Sequence, residues 1–451
     1  MLGSLTYGEI QVGGISSVPD EIREPNKDAF KPKVISIGPL HRGITRHLQL
    51  MEGPKFLYMR EFLERSGSQE ETSSRRLDLT LKDCGTEIDK LEKVINASYG
   101  GNIQSEPHEL AKIMIVDGCF LLEVLLRLGN YMEPPEYHKR NYSDDPILQN
   151  EGKVVPILND ITMLENQIPL IVLKKLYRKV CPNGTKIEDD HRVADIVRKA
   201  FGYSEENKSG GAHVLHLMHL STVEQNQQES TPVEHELKRC ATRLRASGIS
   251  IKATYRSSHH RLVDWFNFNI YFDDFNDRVL QIPPLCIKET TEVRWRNLIA
   301  WEQSRIWIRC KYTSYALFFQ GLICCKHDIE LLEEKGVIVN ECGKSKEELL
   351  TLFRTITKGA EYMDSSYSEI CVRLNKNRGR KVRRILQELC IITWHQCRGI
   401  CETVVYYWGN WYKILIQDHI PTVWKFIGVL AAVALLVLTV MQTYYSSRSA
   451  G

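Results

Sequence analysis

Residues 108–128 read HELAKIMIVDGCFLLEVLLRL. Leu110, Ile113, Met114, Val116, Phe120, Leu121, Val124, Leu125 and Leu128 recur at helical spacing and cover most of the circumference. A helix that is apolar nearly all round is expected at the centre of a core. Asp117, Glu123 and Arg127 interrupt the apolar surface too often for a bilayer span. Such a helix needs other helices around it, and the flanking sequence offers them.

Upstream, MEGPKFLYMREFLER at 51–65 reads as a helix with Pro54 tolerated in its first turn. Residues 77–94 carry apolar positions at roughly helical spacing. Downstream, DITMLENQIPLIVLKKLYRKV at 160–180 is a second strong helical region. Pro169 lacks an amide hydrogen, so one helix either ends near Gln167 and another starts at Pro169, or a single helix kinks there. Residues 131–153 and 203–236 are polar and read as surface insertions. GISIKATY, LVDWFNFNIYF and RVLQIPPLCI, within about 249–287, are short, β-branched and aromatic, and predict a small antiparallel β unit. Helical patterns return at 293–310, 314–334, 346–362 and 380–405.

A different pattern occupies residues 423–441, VWKFIGVLAAVALLVLTVM. Val423, Phe426, Leu430, Leu435, Leu438 and Met441 belong to an apolar run that predicts a transmembrane helix, roughly 28 Å long at 1.5 Å per residue. Lys425 can snorkel to the headgroups, and Trp424 stands at the expected interface. The organisation that follows is a disordered start at 1–17, a helical domain at 18–405, a juxtamembrane segment at 406–422, the span, and a short tail at 442–451. The fold class is thus mainly α: a large helical domain with a small antiparallel β unit and one C-terminal transmembrane helix. The approach to the span is basic and the start, MLGSLTYGEIQVGG, lacks a signal peptide's pattern. Both place the domain in the cytosol, with the bilayer as a partner and the plasma membrane favoured.

Composition narrows the function classes. Lys plus Arg number 59 and Asp plus Glu 56, a formal charge of +3, so no nucleic-acid partner is expected. Thirteen cysteines without a tight frame, several in apolar runs, suit a reducing compartment better than a disulfide scaffold. The four N-x-[ST] sequons, at Asn96, Asn141, Asn183 and Asn207, weigh little against that reading. Nucleophile and phosphate-loop motifs of the G-x-S-x-G and G-x-x-x-x-G-K-[ST] types do not occur.

Three acids in apolar surroundings, Asp117, Asp160 and Glu165, could act as general acid and base if burial raised their pKa values. Helix capping and buried polar networks explain them more simply. Glu302 and Gln303 share a helix with Arg296 and Asn297, where Arg–Glu pairing is an adequate explanation. His213, His216 and His219 recur every third residue, close to a metal-ligating spacing. Leu215, Leu217, Met218 and Leu220 instead mark a packed helix. No catalytic residue, cofactor or metal ligand is therefore assigned. The basic cluster NKNRGRKVRR at 375–384 reads as a solvated helix face or a lipid-headgroup contact.

VISIGPLHRG at 34–43, IMIVDGCFLLEVLL at 113–126, ITMLENQIPLIVLKKLY at 161–177, LQIPPLCIKETTEVRWRNLIAWEQ at 280–303 and TVMQTYY at 439–445 occur in an order that resembles the plant family called domain of unknown function 247, or uncharacterised protein family 0481. The resemblance covers nearly the whole chain. Its motif residues here are Gly38, Pro39, His41, Asp117, Gly118, Phe120, Asp160, Leu164, Glu165, Asn166, Gln167, Pro169, Asn297, Glu302 and Gln303. The family's usual double His is here His41-Arg42, which weighs against metal binding by that pair. The resemblance implies a plant membrane protein without an established enzymatic activity. A protein-interaction or signalling module is the leading expectation; an enzyme using Asp117, Asp160 and Glu165 between central helices is the alternative.

Overall fold

The computed structural model describes residues 14–66, 73–100, 103, 106–132, 142–149, 151–182, 185–203, 210–223, 236–254, 262–263, 266–273, 278–305, 308–376 and 423–449. They form two compact units, Met1–Arg378 and Gly379–Gly451.

The first unit starts with a strap. It comprises α1 (Asp20–Arg23), a 3-10 segment (Glu24–Phe30), an extended run to the Gly38-Pro39 turn, and α2 (Arg46–Gln49). Residues 14–17 fall within the start expected to be disordered, yet Ile15 is buried and donates its N–H to Ser98 O at 2.9 Å. Next come α3 (Glu52–Leu63), α4 (Ser73–Asp89), α5 (Glu92–Ser98) and α6 (Pro107–Tyr131). Helix α6 has Pro at its first position, where the missing N–H costs nothing, and is buried nearly all round. It packs on α3 and α4, and also on α8 (Leu170–Val180) and α9 (Lys186–Phe201), making the centre of a first apolar core. Gly118 permits the close approach of α6 to α8, because a Cβ there would sit 2.4 Å from Leu176 Cδ1.

Between α6 and α8 lies α7 (Glu151–Ile161). The segments expected as surface insertions carry core residues where they are described. Tyr142, Ile147 and Leu148 are buried, and α10 (Val214–Thr222) is buried along most of its length. Asp145, one of the polar letters that suggested a loop, is satisfied internally. Asp145 accepts from Tyr58 OH (2.5 Å), Arg127 Nη1 (2.7 Å), Ile147 N (3.0 Å) and Leu148 N (2.9 Å). Burial pushes the Asp145 carboxyl up, but these bonds prevail and hold it below its ordinary range. A depressed carboxyl contributes stability that is present above about pH 4 and lost as pH falls through the folded pKa. Denaturant titrations across pH 2–5 should therefore show a shallower acid loss in Asp145→Asn than in the wild type. Equal acid slopes would contradict this role.

A second apolar core gathers α11 (Ala241–Ala246), α12 (Thr291–Gln303), α13 (Lys311–Leu322), α14 (Lys326–Glu334), α15 (Lys346–Thr355), α16 (Ser368–Lys376) and two small sheets. The sheets correct the expectation of a purely antiparallel unit. Strands β1 (Ser250–Ala253), β2 (Tyr271–Asp273) and β3 (Val279–Ile282) lie in the order β1-β3-β2. The β2–β3 pair is antiparallel, but β1 runs parallel to β3, with Ser250 opposite Val279 and Ala253 opposite Ile282. Strand β4 (Leu285–Ile287) pairs in parallel with β5 (Ile338–Asn340), which comes from far along the chain. The same core holds an aromatic cluster in which Phe266 and Phe268 meet Tyr312 edge-on, at 5.2 and 4.9 Å between ring centroids. The single helix expected over 314–334 is two, broken at Cys324-Cys325.

In the second unit the described element is a helix, Val423–Ser449. Here the reading of residues 423–441 is corrected: no helix among the described residues is long and apolar enough to cross a membrane. The described side chains of this helix run from 427 to 443. Leu430, Leu435, Leu438 and Met441 lie exposed along them, while the side chains of Val423, Trp424, Lys425 and Phe426 are not described. The bilayer partner, the single-pass topology, the cytosolic orientation and the plasma-membrane location lose the observation they rested on. The helix expected over 380–405, the juxtamembrane segment 406–422, most of the basic cluster 375–384 and His259-His260 lie outside the described residues.

Candidate functional site

Most of the motif residues converge on one place, the loop 162–169 between α7 and α8 and the strap that crosses it; Phe120, Glu302 and Gln303 lie elsewhere. The sequence pattern pointed to helix up to Gln167, but α7 ends at Ile161 and α8 begins at Leu170. The local chemistry explains the break. Asn166 Nδ2 donates to Asp160 O at 2.9 Å, and Gln167 Nε2 donates to Ile161 O at 2.6 Å and Met163 O at 2.9 Å. Side-chain amides thus take the carbonyls that a continuing helix would use, and Pro169 offers no N–H to resume it earlier. Asp160 consequently sits in the last turn of a helix and not before one.

From that position its carboxylate faces the strap. Lys33 N (2.9 Å) donates to Oδ1, and Val34 N (2.7 Å) and Ile35 N (2.8 Å) donate to Oδ2. Burial pushes the carboxyl up to about 6, with these three N–H groups pulling the other way. Asn166 continues the clasp, accepting from Ile37 N at 2.7 Å and donating to Ile35 O at 3.0 Å.

Asp117, on α6, takes the next amide, accepting from Gly38 N at 2.9 Å and from Lys55 Nζ at 2.8 Å. Both charges of this Lys55–Asp117 pair are buried. Burial raises the Asp117 carboxyl, opposed by Lys55, Gly38 and Arg42. Gly38 has φ +76°, and a Cβ there would lie 2.7 Å from Gln167 O, so only Gly fits the turn before Pro39. Tyr99 OH donates to that same Gln167 carbonyl at 2.8 Å.

Glu165 accepts from Val18 N at 2.9 Å and Arg23 Nη2 at 2.5 Å, and His41 Nε2 stands 3.7 Å from its other oxygen. Burial lowers the His41 pKa, with Glu165 working against that shift. Arg42, in the place of a second His, pairs with Glu52 at 3.0 Å. Leu164 N donates to Asn297 Oδ1 at 2.9 Å, and Asn297 Nδ2 donates to Ala29 O and Val293 O, each at 2.8 Å. Leu164 belongs to the second core and Ile168 to the first, so this loop bridges both. Phe120, tilted against Tyr58 with ring centroids 5.5 Å apart, is core packing.

Glu302 performs a similar task between α12 and α13. It accepts from Tyr312 N (2.9 Å), Thr313 N (2.8 Å) and Thr313 Oγ1 (2.7 Å), and His219 Nε2 lies 3.0 Å away. Gln303 accepts from Glu361 N and Tyr362 N, both at 2.8 Å. The expected Arg296–Glu302 pairing does not form: Arg296 Nε donates to Glu292 at 3.0 Å, one turn back.

The three histidines of α10 do not converge. His213 Nε2 meets Gly14 O at 3.0 Å, His216 Nδ1 accepts from Ala212 N at 3.0 Å, and His219 meets Glu302. Trp301 lies between the first two, 4.7 Å from each ring. Burial lowers the His213 pKa to about 3.

A cleft of about 290 Å³ beside α4, α5 and α6 is lined by residues such as Asp89, Glu92 and His108, and by none of Asp117, Asp160 and Glu165. Sequence reading also passed over the buried Lys55 and the cysteines around Asp328. The adjacent pair Cys324-Cys325 was the one local signal for the latter.

The geometry defines a class: a mainly helical domain whose acidic and amide side chains clasp its own N-terminal strap across two apolar cores. The chain belongs to the DUF247 family, described as "Plant protein of unknown function", whose model matches residues 15–438. It is 26% identical to "UPF0481 protein At3g47200" of Arabidopsis thaliana over 95% of this chain and 85% of that protein. It is 22% identical to "Putative UPF0481 protein At3g02645" of the same plant, over 95% and 89%. No solved structure matches.

Proposed function

We propose that the chain is a non-catalytic protein-interaction module, in which the family's motif residues maintain the architecture that presents a binding surface. The observation that carries this reading is the use of the three candidate catalytic acids. Asp117, Asp160 and Glu165 are buried and bonded to the chain's own backbone and cations. A general acid or base must reach a substrate proton within hydrogen-bond distance, and a catalytic site ordinarily opens on a pocket into which such groups converge. These acids are occupied by the strap instead. Proximity labelling with the full chain in plant tissue is expected to recover a reproducible set of protein neighbours. A metabolite phenotype without reproducible neighbours would overturn the proposal in favour of an enzyme.

A further inference from the structure

Away from the strap, three cysteines meet a carboxylate where α11 and α14 begin. Cys240 precedes α11, and Cys324 and Cys325 precede α14. One donor atom each from Cys240, Cys324 and Asp328 lies within 4.8 Å of the other two. Asp328 is held rigidly, as Oδ1 accepts from Thr242 N (2.8 Å) and Thr242 Oγ1 (2.9 Å). Its Oδ2 accepts from Cys324 N (3.0 Å), Cys325 N (3.1 Å) and Cys325 Sγ (3.4 Å). Cys325 Sγ is also 3.9 Å from His327 Nδ1. Cys240 is buried while Cys324 is exposed, so the group is enclosed on one side and open to entry on the other.

We propose that Cys240, Cys324 and Asp328 bind a thiophilic divalent cation of the zinc class, with solvent completing the coordination. Thiolate sulfur with a carboxylate is a donor set that such a cation takes in four-coordinate sites. The hydrogen bonds from Thr242 orient the carboxylate as outer partners of a metal ligand do. Binding converts each ligating thiol to a thiolate and releases its proton to solvent, so affinity rises with pH. The tie would join two helix starts that are far apart in sequence, within the second apolar core.

The test uses the full chain, reduced and metal-free, titrated with Co²⁺ alone and then with Zn²⁺. One equivalent of Co²⁺ should produce a thiolate-to-cobalt charge-transfer band that Zn²⁺ abolishes, and Zn²⁺ should raise the thermal midpoint. Cys324→Ser, at an exposed position, should leave the metal-free midpoint near wild type and lose the band, whereas Cys342→Ser should keep it. Absence of the band in wild type, or its persistence in Cys324→Ser, would overturn the proposal.

Discussion

Replacing Asp160 by Ala is expected to lower the unfolding free energy by about 3–5 kcal/mol, because it strands the donors of Lys33, Val34 and Ile35. Each of these amides donates to a carboxylate, and a buried N–H without a partner carries its full desolvation penalty. Water cannot readily replace the acceptor at Ile35, since Asp160 is wholly buried and Ile35 with it, whereas Lys33 is exposed and can regain water. Asp160→Asn retains one acceptor oxygen and should lose about half as much, roughly 1–3 kcal/mol. Equilibrium urea unfolding checks both, with a shifted midpoint and an unchanged slope. Wild-type stability in Asp160→Ala would show that the strap is held by apolar packing alone.

Glu302→Ala should have a comparable effect, about 3–5 kcal/mol, for a related reason. The first turn of α13 has amide groups without intrahelical partners, and Glu302 accepts from two of them, Tyr312 N and Thr313 N. The same carboxylate faces His219, so its loss also leaves that buried ring without an acid partner. The helix end and the contact between α10 and α12 should weaken together. Thermal unfolding followed by near-ultraviolet circular dichroism, which reports on the surrounding Tyr312 and Trp301, is the direct check. An unshifted midpoint would contradict the capping role.

Both predictions concern residues visible as motifs in the sequence, and their contrast with other segments shows what a single sequence can convey. Helix α6 was legible because its signal is local: apolar side chains at helical spacing, interrupted by a few ionic positions. The LENQIP loop was legible as a motif but not as a loop, because Asn166 and Gln167 break the helix by bonding carbonyls that composition does not reveal. The partners of Asp160, Glu165 and Asn297 lie far along the chain, and so do those of β1 and β4. Sequence periodicity cannot show the amide at Val34 meeting the carboxylate at Asp160. The Cys240, Cys324 and Asp328 group was hidden for the same reason. For residues 423–441, apolar length alone suggested a span, whereas no helix among the described residues meets that requirement.

Amide hydrogen exchange at Lys33, Val34, Ile35, Ile37 and Gly38 tests most directly whether the buried side chains serve to lock the strap. These amides lie outside regular secondary structure, so protection there must come from Asp160, Asn166 and Asp117. Wild-type protein should protect all five as strongly as the centre of α6, and Asp160→Asn should release Lys33, Val34 and Ile35 first. Exchange of these amides at the rate of an exposed loop in wild-type protein would contradict the lock and return the three carboxylates to the list of candidate catalytic groups.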